Sequence, residues 1–206
     1  MTWQFDKTIA DIYLDHVRCH IPDFETVINK TVECCSSYCD TKDAILDFGC
    51  ATGYTLQKLH NAGFRNLHGV DASQDMLNKC SVPAEYYCST DIPKVQYKTI
   101  IANWVLHFNL NKEQLIENIY NQLDDNGFVI ISDKLSQTNF IQDRYYNWKH
   151  SMGVSFDDIL RKEKSLVGVM NLHSLDFYYN TLVSVGFKSV EVIHGGWGFI
   201  SLMAKK

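Results

Sequence analysis

Ala44-Ile-Leu-Asp-Phe-Gly-Cys-Ala-Thr-Gly-Tyr54 decides how this chain folds. Ile45, Leu46 and Phe48 form a short apolar run that reads as a strand buried in a parallel sheet. Gly49 and Gly53 then mark a tight strand-to-helix turn, where the backbone must come close to a ligand. Thr55 to His60 reads as the first turns of a helix. A second apolar run, Leu67-His-Gly-Val-Asp71, ends in a carboxylate eighteen residues past Gly53. A carboxylate at that place is set to accept two hydrogen bonds from a ribose diol. Together the two runs describe a nucleoside pocket at the carboxyl edge of a parallel sheet.

The acid directly before the glycine turn narrows the choice of nucleoside. Dinucleotide folds present G-x-G-x-x-G, with helix N–H groups facing a pyrophosphate; here the spacing is Asp47-x-Gly49-x-Ala51-x-Gly53. A carboxylate there repels a pyrophosphate and suits a cationic ligand carrying an amino group. The pattern resembles motif I of the Rossmann-like S-adenosylmethionine (SAM) methyltransferases, (D/E)-x-G-x-G-x-G, with Ala51 replacing the middle glycine. The resemblance implies a pocket for SAM, or for its demethylated product S-adenosyl-L-homocysteine (SAH), at Asp47, Gly49, Cys50, Ala51, Gly53, Asp71 and Ala72. An ordinary α/β turn is the alternative reading of the same residues.

Composition restricts the partners. A chain of 206 residues suits one domain, 1–206, and 46% hydrophobic residues make it globular. A net charge of −5 gives no field for bulk nucleic-acid binding, so a small-molecule acceptor is the expected partner. Met1-Thr-Trp-Gln-Phe-Asp has no basic region followed by an apolar core, and no apolar run reaches membrane-spanning length. A cytoplasmic chain with no membrane partner is expected, and its seven cysteines are read as reduced thiols. Cys34, Cys35 and Cys39 cluster downstream of Cys19-His20 without a C-x-x-C pair. They read as helix-packing thiols, and no metal is expected.

Residues 5–18 and 22–38 read as two helices broken at Ile21-Pro22, within an N-terminal helical region 1–40. Strands then alternate with helices across a core at 41–134. Strands are expected at about 43–48, 66–70, 85–88, 97–102 and 127–132, and helices at about 54–61, 73–79 and 112–123. This alternation predicts a doubly wound, mostly parallel α/β sheet. Asn126-Gly127 is expected to open the fifth strand. The segment 135–175 is too long for a simple loop and reads as a helical lid carrying Tyr145, Tyr146, Trp148, His150 and Met152. The remainder, 176–206, holds the end of a helix at 174–184, a strand at 187–193, a turn at Gly195-Gly196-Trp197-Gly198 and a last strand from Phe199 to Ala204. The tight turn makes these last strands an antiparallel hairpin. Such a hairpin closing a seven-stranded Rossmann-like sheet is typical of the SAM methyltransferases.

The same resemblance implies roles for further residues. Asp91 and Ile92 follow the third strand, where the family hydrogen-bonds the adenine amino group; a turn aspartate is the alternative. Met76 resembles the residue that packs on the adenine, or is a core residue. Asn103 closes the fourth strand as a ligand contact or a strand terminator. A hydroxyl or thiol acceptor needs a base near neutral pH, and His107, just past the fourth strand, is the first candidate. His150 and Tyr145 in the lid are the others, each with a packing role as its alternative.

Over nearly its whole length the chain is similar to the carboxy-SAM synthase branch, whose members make the donor for wobble-uridine modification in tRNA. Phe5-Asp6 to Tyr13, Ile21-Pro22-Asp-Phe24, Leu110 to Leu135, Trp148 to Ser155, Val169-Met170, Ser174 and Gly186-Phe187 keep the register. That branch is dimeric, which implies a homodimer. It grips a ligand carboxylate with an arginine where this chain has Thr181, and Phe24 stands in place of a tyrosine. Threonine cannot form a bidentate ion pair with a carboxylate, so the clamp is lost unless Arg144 or Arg161 supplies the charge. The leading expectation is methyl transfer from SAM to a small, planar or heteroaromatic acceptor. A carboxy-SAM synthase-like enzyme and a non-catalytic SAM-binding protein are the alternatives.

Overall fold

A computed structural model describes residues 5–206; residues 1–4, part of the start read for a leader, lie outside the described residues. Helices α1 (Lys7–Arg18) and α2 (Phe24–Tyr38) precede the sheet. The alternating core is β1 (Ile45–Phe48), α3 (Tyr54–Asn61), β2 (Leu67–Asp71), α4 (Gln74–Leu77), β3 (Glu85–Cys88) and β4 (Tyr97–Asn103). A 3₁₀ turn (Leu106–Phe108), α5 (Lys112–Gln122) and β5 (Leu123–Lys134) follow. The lid is α6 (Asn139–Ser151) and α7 (Phe156–Leu166), and α8 (Leu175–Val185) leads into β6 (Ser189–Gly196) and β7 (Phe199–Lys205).

The seven strands lie in the order β3-β2-β1-β4-β5-β7-β6. The first five are parallel, and β7 runs antiparallel to both β5 and β6. From β1 the chain winds outward to β3, then returns to β4 on the other side of β1. The crevice at the carboxyl ends of β1 and β4 is therefore the topological switch point, where this architecture places ligands.

Alternation along the strands splits the core between the two faces. Leu46, Phe48, Ile100, Ala102, Val129 and Ile131 pack with Leu115, Ile116 and Ile119 of α5 and with Tyr178 and Leu182 of α8. Ile45, Ile101, Phe128 and Ile130 face the other way, with Cys35 of α2 and Leu56 and Leu59 of α3. Covering both faces is why β1 is buried at all four positions, its acid included.

Local chemistry fixes the helix starts. Asp6, Ser73, Thr138, Ser155 and Ser174 each accept a backbone N–H from the first turn of the helix that follows. Several boundaries shift by a few residues, α4 being shorter than the expected 73–79 and β6 running later than 187–193, and two differences change the reading of a turn. β5 begins at Leu123, paired with Tyr97, and the pairing then jumps to Thr99 with Phe128. Asn126-Gly127 therefore sits in an irregularity inside the strand instead of opening it. In the hairpin, Gly195 and Gly196 pair with Ile200 and Phe199, so the turn is Trp197-Gly198 alone, at φ +47° and +78°. No helix among the described residues is long and apolar enough to cross a membrane.

Candidate functional site

The loop after β1 is tied to the end of β2. The N–H groups of Gly49 and Cys50 both donate to the Val70 carbonyl, at 2.7 and 2.9 Å. Asp71 closes the arrangement: one carboxylate oxygen accepts from Ala51 N–H at 2.9 Å and the other from Ser73 N–H at 2.8 Å. Burial raises the Asp71 pKa, against the smaller opposing effect of these two backbone bonds. Ala51 holds φ +47°, a conformation that costs an alanine energy and that the Asp71 bond helps to fix. Gly49, at φ +81°, lies so close to Val105 that an added Cβ would come within 2.7 Å of it.

This loop forms one wall of a cavity of about 320 Å³. Gly49, Ala51, Asp71 and Ala72 line it from β1 and β2, and Asn103 and Trp104 from the end of β4. Phe5 and Tyr13 cover it from the N-terminal side. A narrower recess, which shares Tyr13, Gly49, Asn103 and Trp104 with it, reaches Asp47, Cys50 and Thr55. Asp47 is buried there, and its Oδ2 has no hydrogen-bond partner. Burial, and then the nearby Asp71 charge, push its carboxyl up to about 7 against a hydrogen bond from Thr55. The Asn103 Oδ1 is also buried without a partner. Burial and the two carboxylates raise the Tyr13 phenol, which places that ring beside both acids. A site with two acids and orphaned acceptor atoms fits a ligand that brings donors and positive charge.

A second cavity, of about 100 Å³, shares Phe5, Tyr13, Trp104 and Phe108 with the first. His107 faces it from the 3₁₀ turn. The His107 Nδ1 meets one carboxylate oxygen of the fully buried Asp133, and the Tyr178 hydroxyl donates to the other. The lid holds the turn in place, because Asn171 N–H donates to the His107 carbonyl at 2.7 Å. Lys134, Lys149, Lys162 and Glu163 line the same cavity. Glu163 Oε1 is 3.2 Å from the Lys149 ammonium and 3.7 Å from that of Lys134. Both ammoniums lie over the Tyr145 ring, at 4.8 Å for Lys134 and 4.3 Å for Lys149.

The residues expected from sequence fall into three groups. Gly49, Ala51, Asp71, Ala72 and Asn103 line the larger cavity, and Asp47 and Cys50 line its recess. His107 and Tyr145 line the smaller one. The others lie off these walls. Gly53 caps α3, and Met76 packs with Ala10 and Ala51 beneath α1. Ile92 packs against the core and Asp91 N–H bonds the Ser89 hydroxyl, leaving Ser89 and Thr90 on the wall. His150 stacks on Phe156 with its Nδ1 3.1 Å from the Val154 carbonyl, away from His107. The Tyr145 hydroxyl donates to the His20 carbonyl at 2.7 Å, and burial raises its pKa, so it is held as a protonated donor. Arg144 lies over the Phe140 ring, Arg161 pairs with Asp158 at 3.0 Å, and neither they nor Thr181 line either cavity.

Asp133, Tyr178, Tyr13, Trp104 and the three lysines had no expected role. Asp133 had a readable signal, since it follows the apolar run Phe128–Ile131 after one serine, much as Asp71 closes the run that begins at Leu67. Trp104 holds φ +56°, an outlier for so large a side chain, and it lines both cavities and the recess. Among the described residues no group of three or more His, Cys, Asp or Glu is placed to hold a metal ion, and all seven cysteines are free thiols.

A family model described as a methyltransferase domain matches residues 23–192. The carboxy-S-adenosyl-L-methionine synthase of Helicobacter hepaticus is 29% identical over 226 aligned positions, covering 99% of this chain and 95% of that protein. The synthase of Shewanella halifaxensis is 28% identical over 225, covering 99% and 93%. Among solved structures, the plantazolicin methyltransferase BpumL in complex with a monoazolic desmethylPZN analogue and SAH superposes with a TM-score of 0.71 at 15% identity, covering 98% of this chain and 90% of that one. Magnesium protoporphyrin IX methyltransferase from Synechocystis with bound SAH gives 0.65 at 16% identity, covering 100% and 90%. At such identities the structural likeness shows the fold.

Proposed function

Because this chain belongs to the family of methyltransferase domains, we propose that it is a SAM-dependent enzyme that methylates a small acceptor held in the cavity beside His107. The observation that carries this reading is the unpartnered Asp47 Oδ2, next to the unpartnered Asn103 Oδ1, in the recess of the cavity that Asp71 closes. SAM, when bound, supplies an electrophilic methyl group on a cationic sulfur. The protein's share is to orient the reactants, exclude water and remove a proton. Asp47 and Asn103 would hold the ammonium end of the amino acid. Asp71 retains lone pairs for ribose hydroxyls beyond its two backbone bonds. Phe5, Tyr13 and Trp104 stand between the two cavities and shield them from water. With Nδ1 engaged by Asp133, the His107 ring leaves Nε2 to take a proton from the acceptor.

Asp47 makes ligand uptake pH-dependent. Its carboxyl, raised to about 7, carries a proton in the empty pocket at lower pH, whereas a cationic ligand favours the ionised form. Binding below that pH therefore releases a proton, and SAM affinity climbs with pH until about 7 and then levels. Calorimetry across pH 5.5–8 checks this, and Asp47→Asn should flatten the climb. A wild-type affinity that is flat with pH counts against the ammonium contact.

A second reading is supported by the near full-length similarity to carboxy-SAM synthases: the enzyme would make a carboxylated SAM derivative. The missing arginine at Thr181 counts against it. Mass spectrometry of the purified protein incubated with SAM and a metabolite extract separates the two. SAH with a methylated product supports methyl transfer, and a carboxylated sulfonium supports the second reading. Neither product, with no SAM bound, overturns both.

A further inference from the structure

We propose that the smaller cavity is a carboxylate-binding subsite, in which Lys134, Lys149 and Lys162 hold the anionic end of a small planar acceptor against Tyr145 while its other end reaches His107 and Trp104. This deepens the acceptor assignment above and rests on the larger cavity being the SAM pocket.

Charge is the first argument. Three ammonium groups, from the end of β5, from α6 and from α7, converge on one cavity of about 100 Å³. Glu163 is the one carboxylate among the described residues lining it, and residues 1–4 contribute no acid to the sequence. Lys134 and Lys149 are buried, 5% and 1% exposed, so water cannot supply the missing negative charge. Burying unbalanced charge is expensive, and the cost falls on the protonated forms. Burial pulls the Lys149 ammonium down to about 8, and burial with Lys149 pulls Lys162 down to about 7. The imidazoles of His16 and His20, stacked at 4.1 Å on the same wall, are driven to about 4 and about 3 by burial and Lys162, and stay neutral at pH 7. A carboxylate entering the cavity would restore the charge balance that Glu163, the one carboxylate among the described residues lining it, does not.

Shape and position are the second argument. Phe5, Trp104, Leu166, Met170 and Phe199 also line it, a surface for a flat apolar body. His107, fixed by Asp133 and Tyr178, lines the same cavity, which shares Phe5, Tyr13, Trp104 and Phe108 with the larger one. An acceptor held by the lysines at its anionic end thus shares a cavity with the proton acceptor. The lost arginine is replaced in charge, not in place: Thr181 lines neither cavity, and the cations come from the lid and β5.

The probes are benzoate and benzamide, equal in shape and different in charge, titrated into the SAH-saturated full chain by calorimetry at pH 7. Benzoate should bind about tenfold or more tightly than benzamide, and Lys149→Met and Lys162→Met should each erase most of that difference. SAH affinity should stay within about threefold in these variants. Glu163→Gln, which removes the competing carboxylate, should tighten benzoate and leave benzamide unchanged, which keeps the test alive if a lysine variant misfolds. At pH 8, benzoate binding should take up protons as Lys149 and Lys162 recharge, with Lys134, Glu163, His16, His20, His107, Tyr13 and Tyr145 the other titratable groups facing the site. Equal affinities for the two probes, or benzoate binding that the lysine variants leave untouched, overturn the proposal. Inorganic phosphate matching benzoate overturns its carboxylate assignment. SAH uptake is read separately, so loss of that signal with benzoate binding intact strikes the cofactor assignment instead.

Discussion

Asp71→Asn lowers SAH affinity about a hundredfold, a loss of about 3 kcal/mol, while the protein still melts cooperatively. The carboxylate is a double acceptor, with Ala51 N–H on one oxygen and Ser73 N–H on the other. An amide offers one acceptor and one donor pair, so one of the two backbone N–H groups must face an NH₂ group. Leaving a buried donor unpaired costs about 1–3 kcal/mol. That cost falls on the β1 loop, where Ala51 already holds φ +47°, and on the start of α4. The ribose diol then loses a charged acceptor, and bonds to charged groups are worth about 1.5–3 kcal/mol. Part of the total is spent in the empty protein as loop disorder, which is why the binding loss stays near the lower end of the sum. Calorimetry with SAH, beside a thermal melt, measures both shares. Unchanged affinity would move the nucleoside elsewhere.

The sheet and the first half of this site were legible because local chemistry decides them. Ile45-Leu-Asp-Phe48 has to be a strand covered on both faces, and a lone acid at its third position has to be buried with it. The order β3-β2-β1-β4-β5-β7-β6 follows from alternation, right-handed crossovers and a closing turn of two residues. The β5 irregularity was not legible, because Leu123 pairs with Tyr97 across Asp124-Asp-Asn-Gly127, a polar stretch that carries no strand pattern of its own. The acceptor side resisted for a related reason. Lys149 and Lys162 sit on polar lid helices, where nothing in the sequence singles them out; the packing of α6 and α7 brings Lys149 onto Tyr145 and Glu163 and Lys162 onto His16. His150 shows the converse: nearness in sequence to Tyr145 and Tyr146 put it with the site, and the helix turned it onto Phe156. Tyr13 and Phe5 belong to a helical region whose role depends on which end of the sheet it covers, and no periodicity records that.

Asp133→Asn should cost methyl transfer far more than it costs ligand binding. The two Asp133 oxygens are committed, one to the His107 Nδ1 and one to the Tyr178 hydroxyl. The carboxylate can only accept, so it holds the His107 proton on Nδ1 and leaves Nε2 free to accept the acceptor's proton. An asparagine keeps the volume and the Tyr178 bond if its carbonyl turns to the phenol, and its NH₂ group then donates to Nδ1. The imidazole proton moves to Nε2, and the ring becomes a donor where a base is needed. Removal of a positioned proton acceptor costs about 10²–10⁴ in rate, and His107→Ala should fall in the same range. Tyr178→Phe leaves the histidine tautomer intact and removes one neutral donor from Asp133, so its loss should be much smaller. SAH affinity should hold within about twofold in all three, because these side chains line or support the other cavity. Single-turnover rates with SAM and the acceptor give the reading. Rates in His107→Ala that match the wild type would mean that the acceptor atom needs no base, and the buried Asp133–Tyr178 pair would then be a support for the turn and not for the chemistry.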